Sequence, residues 1–175
     1  MRELADDARV DELIDELASS IEKNMRGGVW ALIGIRSRGD LLARRLAERI
    51  GPDRFAGVGT LDITLYRDDL SEIGPQPVVR TTEIDFSIDD LHIVLVDDVL
   101  MTGRSIRAAL QSLMDFGRPS RVWLAVLVDR GGRELPIGPD HVGLALEGQM
   151  APGGQVQVLL RPHDARDAIL GGSTP

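Results

Sequence analysis

The run His92-Ile93-Val94-Leu95-Val96 ends on two adjacent carboxylates, Asp97 and Asp98, and then enters a short turn containing Gly103. An apolar, β-branched stretch of this length with no polar alternation describes a strand buried on both faces, as strands inside parallel sheets are. The acids close it. From Ser105 onward, Ile106, Ala109, Leu110, Leu113 and Met114 recur at helical spacing until Gly117 and Pro119 break the pattern. Strand, turn and helix in that order form the repeating unit of a parallel α/β sheet.

The same unit appears elsewhere. Val29 to Ile35 reads as an apolar strand, Arg36 to Asp40 as a polar turn, and Leu41 to Ile50 as a helix stopped by Gly51-Pro52; Arg121 to Asp129 supplies another buried strand. The fold class that follows is α/β: a mainly parallel sheet flanked by helices, doubly wound or nearly so, in one domain over residues 1–175. Residues 1–27 are expected to form an N-terminal helix whose stripe of Val10, Leu13, Ile14, Leu17 and Ile21 packs on the domain, ended by Gly27-Gly28. Phe55 to Tyr66 is strand-like with glycine interruptions, and Arg67 to Asp90 turns polar with two prolines, an exposed mobile loop or a hairpin. Beyond Asp129, residues 130–140 are rich in turn formers, His141 to Gly148 and Gln155 to Arg161 are short strand candidates, Asp164 to Leu170 is a terminal helix, and the last five residues fray.

Several functions are excluded by what the chain lacks. There is no cysteine, so disulfides, thiolate nucleophiles and Cys-ligated zinc are out. Lys23 is the only lysine, which removes the Walker phosphate loop and argues against Schiff-base chemistry. A net charge of −8 works against indiscriminate nucleic-acid binding, so any RNA contact must be local. No apolar run is long enough to span a bilayer and the acidic N-terminus does not read as a signal peptide, so the expected location is the cytoplasm, away from membranes. No G-x-G-x-x-G follows a strand as a dinucleotide-binding unit would require, and a phospho-receiver would need a late lysine.

In an open α/β sheet ligands gather at the carboxyl ends of the strands, where both polar turns lie. Thr102, Gly103, Arg104 and Ser105 offer backbone N–H groups at a helix N-terminus, two hydroxyls and a glycine that lets an anion approach, a set suited to phosphate. Asp97 and Asp98 are acceptors; they suit vicinal sugar hydroxyls or a hydrated Mg²⁺. A ribose 5-phosphate satisfies both halves. In the purely structural alternative, Asp98 caps the turn, Asp97 pairs with an arginine, and Thr102 and Ser105 satisfy turn backbone.

The full string, from the apolar strand through Asp97-Asp98 to Met101-Thr102-Gly103-Arg104-Ser105, resembles the phosphoribosyl pyrophosphate (PRPP) signature of the type I phosphoribosyltransferases. The resemblance implies that Asp97 and Asp98 hold the ribose hydroxyls, with Mg²⁺ arriving on PRPP and meeting the two acids through water, and that residues 101–105 hold the 5-phosphate. Arg36-Ser37-Arg38-Gly39 resembles the family's pyrophosphate loop, in which backbone amides, often exposed by a cis peptide, and a basic side chain face the leaving group. Over residues 29–142 the chain is most similar to the branch that joins uracil phosphoribosyltransferase activity to pyrimidine-operon regulation.

For that branch the resemblance implies a flexible loop over residues 66–82, opened by Tyr66-Arg67-Asp68, and a base-side lid over residues 130–150. His141 and Val142 would flank the base; Asp129, or a water, would act as general base. The implied reaction is uracil plus PRPP to UMP plus pyrophosphate. The implied second role is binding of a pyrimidine-operon mRNA leader when loaded with UMP or UTP, through Arg44, Arg45, Arg49, Arg118 and Arg121, on a homodimer or higher homo-oligomer. Two departures touch the lid: Gly132 stands where the family has histidine, and Ala145-Leu146-Glu147-Gly148 replace Ile-Pro-Thr-Ser. They leave open a purine or orotate phosphoribosyltransferase, and a nucleotide-sensing regulator with little catalysis.

Overall fold

The computed structural model describes residues 1–69, 71, 81–151 and 153–172. Among these, the strands β2 (Trp30–Ile35), β3 (Val58–Leu61), β4 (His92–Leu100), β5 (Arg121–Asp129) and β6 (His141–Ala145) form one parallel sheet in the order β3-β2-β4-β5-β6. Because β4 is central, its side chains alternate between two cores. Val94 and Val96 join the core beneath α1 (Asp7–Asn24) and α2 (Gly39–Ile50), whereas Ile93 and Leu95 join the core beneath α3 (Arg104–Met114). Helices therefore cover both faces, as the alternating pattern predicts.

The apolar stripe read from the N-terminus is the buried face of α1, but the helix does not begin the chain. It starts at Asp7, with Asp6 as N-cap accepting from the Arg9 amide at 3.0 Å, and it is preceded by a strand, β1 (Arg2–Ala5). The expected terminal helix is also a strand, β8 (Ala168–Gly172). It pairs antiparallel with β1 on one side and with β7 (Gln155–Leu159) on the other, making a separate three-stranded sheet. Local spacing in residues 164–170 suggested a helix; pairing partners on both edges of β8 override it.

Two further details differ from expectation, and one of them shapes the site. Asp97 and Asp98 do not end β4, which stays in register with β5 through Asp97 opposite Val126, Val99 opposite Val128 and Leu100 opposite Asp129. The carboxylates supply the local acceptors: Asp97 Oδ1 takes the Asp98 amide and Asp98 Oδ1 takes the Val99 amide, both at 2.9 Å. Met114, expected on the apolar face of α3, is exposed. After β3 the chain makes a single 3₁₀ turn (Thr64–Tyr66); of the loop expected over residues 66–82, residues 70 and 72–80 lie outside the described set, as does the tail from 173. The return leg crosses the outer edge of β3 through an antiparallel bridge between Thr60 and Glu83. No described helix is long and apolar enough to cross a membrane.

Candidate active site

The carboxyl ends of β2 and β4 bring the two expected turns together. A cleft of about 230 Å³ is lined by Arg36, Ser37, Arg38, Asp97, Asp98, Val99 and Ser105, with Asp62, Ile63, Thr64 and Arg67 closing its flank. A second cleft of about 190 Å³ adjoins it, sharing Arg67 and Ser105 and adding Asp68, Asp69, Thr102 and Arg104. The first joins the acid pair to the Arg36–Gly39 loop, and the second lies over the turn that opens α3.

The acid pair is costly to ionise. Asp97 is buried, and removal from water, followed by repulsion from Asp98, pushes its carboxyl well above the ordinary range. Burial also raises Asp98, against the opposing pull of the Asp97 hydrogen bond and the Arg38 charge. A pair of desolvated acceptors at the end of a strand suits neutral hydroxyl donors from a ligand.

In the α3 turn, Gly103 sits in the left-handed region at φ 91°, and a Cβ there would come 3.4 Å from Ile137 Cβ and 3.5 Å from Leu135 Cβ. Glycine is thus favoured by the backbone conformation, while residues 135–137 lie at ordinary van der Waals distance. The Thr102 carbonyl accepts the Glu134 and Leu135 amides at 3.0 and 3.2 Å, so the turn is braced from behind by the segment after β5. Arg104 donates to Asp68 at 2.8 Å and to Glu134 at 2.7 Å, linking the two flanks. Met101 is exposed at the rim.

On the other side, the Arg36–Ser37 peptide bond is cis, and Gly39 lies hard against β4: a Cβ there would meet the Val96 carbonyl oxygen at 2.5 Å. Arg36 approaches Glu83 at 3.6 Å. Arg38 is paired side-on with Asp164, a residue that carried no signal in the sequence because its partner is 126 positions away. That hydrogen bond, foremost, holds Asp164 below the usual carboxylate range.

At the opening of the expected loop, the Tyr66 hydroxyl donates to Asp115, which raises the phenol, and Arg67 pairs with Asp69 at 2.7 Å. Asp129 lies at the end of β5, but its carboxylate is committed: Oδ1 accepts the Gly131 amide at 2.9 Å and Oδ2 the Arg133 guanidinium at 2.7 Å. Both of its oxygens are already occupied by protein donors, which counts against the general-base role. His141 and Val142 are not at the cleft. They begin β6, opposite Ala125 and Val126, at the far end of the strand from the level of Asp129, where Ala145 stands instead. His141 is buried against α1, with Nδ1 2.8 Å from Ser20 Oγ and the Trp123 ring beside it, and burial lowers its pKa. The sequence resemblance placed these residues by motif; the register of a parallel strand moves them away from the ligand edge.

The proposed RNA arginines are scattered. Arg45 pairs with Asp167, and Arg49 with Asp11 and Asp15 on α1. Arg121 lies 4.0 Å over the Trp123 ring, and Arg44 and Arg118 are exposed.

The phosphoribosyl transferase domain family matches residues 2–151. A protein of Elusimicrobium minutum named Bifunctional protein PyrR is 48% identical over 95% of this chain and 93% of its own. The namesake from Acetivibrio thermocellus is 54% identical over 81% of this chain and 78% of its own. Among solved structures, a hypoxanthine-guanine phosphoribosyltransferase of Bacillus anthracis superposes with a TM-score of 0.64 at 18% identity, covering 83% of this chain and 81% of that one. A hypoxanthine phosphoribosyltransferase of Staphylococcus aureus gives 0.62 at 17% identity, over 82% and 77%. At such identities these two show the shared fold.

Proposed function

The chain belongs to the phosphoribosyl transferase domain family, as a type I member similar to the bifunctional PyrR proteins, and we propose that it is a pyrimidine regulator with uracil phosphoribosyltransferase activity. The observation that carries the reading is the single cleft in which Asp97 and Asp98 meet both Arg38 and Ser105. Ribose hydroxyls donate to the acid pair, the 5-phosphate accepts from the amides and hydroxyls at the start of α3, and pyrophosphate leaves toward Arg36–Gly39. The N1–C1′ bond to uracil forms as the C1′–O bond to pyrophosphate breaks, and the N1 proton passes to water, since Asp129 is held by Arg133. Positioning supplies most of the rate.

The donor set bears on Mg²⁺. Among the described residues no group of three or more His, Cys, Asp or Glu side chains could hold a metal, so Asp97 and Asp98 provide at most a partial shell. Mg²⁺ needs six oxygens. The acids fit an ion that arrives on PRPP and keeps water between itself and the protein; when bound, it would offset charge on the leaving pyrophosphate. A cytoplasmic location is the reading that suits substrates of this kind.

A uracil-dependent pyrophosphate-release assay tests the reading. Turnover with uracil, and competition by UMP, supports it; turnover with hypoxanthine or orotate in place of uracil sinks the base assignment. For the regulatory half, binding of a pyrimidine-operon leader RNA by the homo-oligomer should require UMP or UTP, and equal affinity with and without nucleotide sinks that half.

A further inference from the structure

We propose that Asp164 is a positioning residue for phosphoribosyl transfer, holding Arg38 in the orientation that serves the leaving pyrophosphate and keeping it off Asp98. The inference rests on reading Arg36–Gly39 as the pyrophosphate loop. Arg38 Nε and Nη2 each donate to one Asp164 oxygen at 2.9 Å, a side-on pair that leaves Nη1 outside the pairing. Only 22% of the Arg38 side chain and 15% of that of Asp164 is exposed, so water competes weakly. Asp164 is itself fixed: its Oδ2 accepts the Leu160 amide at 2.8 Å and its own amide donates to the Leu160 carbonyl at 2.9 Å.

Arg38 also feels the charge of Asp98, with which it lines the cleft. Two carboxylates thus compete for one guanidinium. If Arg38 fell onto Asp98, it would occupy the oxygens that sugar hydroxyls need and would leave the pyrophosphate side without its cation. The bidentate pair with Asp164 decides that competition in advance, and a planar guanidinium clamped along one edge loses little further freedom when an anion meets the other. The restraint comes from the turn before β8, outside the sheet that carries the other site residues.

A built-in control lies three residues on. Asp167 ties the same turn to α2 through Arg45, at 2.6 and 3.0 Å, without lining either cleft. Removing it loosens the turn but leaves the Arg38 contact intact.

The test compares wild type, D164N, D164E and D167N by PRPP kinetics, by calorimetric titration with magnesium pyrophosphate, and by pH profile. D164N should raise the KM for PRPP by about tenfold or more, as expected when a charged hydrogen bond is lost, with a smaller change in kcat and weaker pyrophosphate binding. Its acid limb in kcat/KM should move to lower pH, because Arg38 then pairs with Asp98 and favours that carboxylate ionised. D164E should recover part of each effect, and D167N should lower only the thermal midpoint. Equal behaviour of D164N and D167N, or wild-type pyrophosphate affinity in D164N, overturns the inference. A wild type that binds pyrophosphate but does not turn over uracil overturns the choice of base instead, and the D164N titration still decides the role of Asp164.

Discussion

Arg133 Nη2 donates to Asp129 Oδ2 at 2.7 Å, while the same guanidinium donates through Nη1 to the Met101 carbonyl and through Nε to the Ile137 carbonyl, both at 2.9 Å. One side chain therefore joins the end of β5, the lid segment and the phosphate turn. Asp129→Asn, whose one amide oxygen can still accept the Arg133 bond, should keep kcat within about tenfold of wild type, against the ~10²–10⁴-fold loss expected for a general base. Arg133→Ala should be worse, because it removes all three bonds at about 0.5–1.5 kcal/mol each and unties the lid segment from the phosphate turn. Steady-state rates at saturating uracil and PRPP rank the two.

The acid pair should trade stability for binding. Asp97 has a folded-state pKa above its unfolded one, so its ionised form destabilises the fold at pH above the ordinary carboxylate range, and that cost disappears as pH falls through the raised value. Asp97→Asn should accordingly raise the thermal midpoint at neutral pH, with the gain shrinking on acidification, while PRPP binding drops sharply. Melting curves across pH and calorimetry with PRPP check both halves.

Acid should weaken PRPP binding before it unfolds the chain. Burial raises both carboxyls, so protonation, and with it loss of acceptors for the ribose hydroxyls, sets in above the ordinary carboxylate range. PRPP affinity measured against that of inorganic phosphate over the same pH range separates this effect from titration of the ligand's phosphate.

Gly39 packs backbone to backbone on β4. A methyl group there would meet the Val96 carbonyl oxygen at 2.5 Å and Asp97 Cα at 3.1 Å. Gly39→Ala should cost about 1–3 kcal/mol, the usual range for forced overpacking, and should weaken PRPP binding by pushing the Arg36–Gly39 loop off the acid pair. Denaturant titration and PRPP titration read the two effects.

Ion pairing sorts the arginines. Arg45 and Arg49 already meet carboxylates, so Arg45→Ala and Arg49→Ala should lower the thermal midpoint and leave leader-RNA affinity unchanged. Arg44 and Arg118 are exposed, and if either touches RNA phosphate its loss should reduce the salt slope of binding by about one. Filter binding at several salt concentrations distinguishes them.

The sheet and the phosphate turn were legible because strand burial, helical spacing and a turn glycine are local signals: Ile93 to Val96, Ile106 to Leu113, and Gly103 announce themselves within a few residues. Asp97 and Asp98 could be marked as acceptors, though their continuation of β4 depends on pairing with β5 that no local pattern encodes. Asp164 was invisible for the opposite reason: a lone carboxylate near a chain end acquires meaning only from an arginine 126 residues earlier. The misplacement of His141 has a third cause, strand register, which slides a motif along a strand without changing its sequence.

The pairing of β1 with β8 also delays assembly relative to synthesis. Residues 2–5 are made well before their partner strand, residues 168–172, which follows the Asp164 that holds Arg38. A chain stopped before residue 164 contains the residues of the β4 acids and the α3 turn but lacks the restraint on its leaving-group arginine. Full affinity for pyrophosphate is therefore acquired only once residue 164 has been made and has folded back, so shorter products of this chain should hold an activated sugar more weakly.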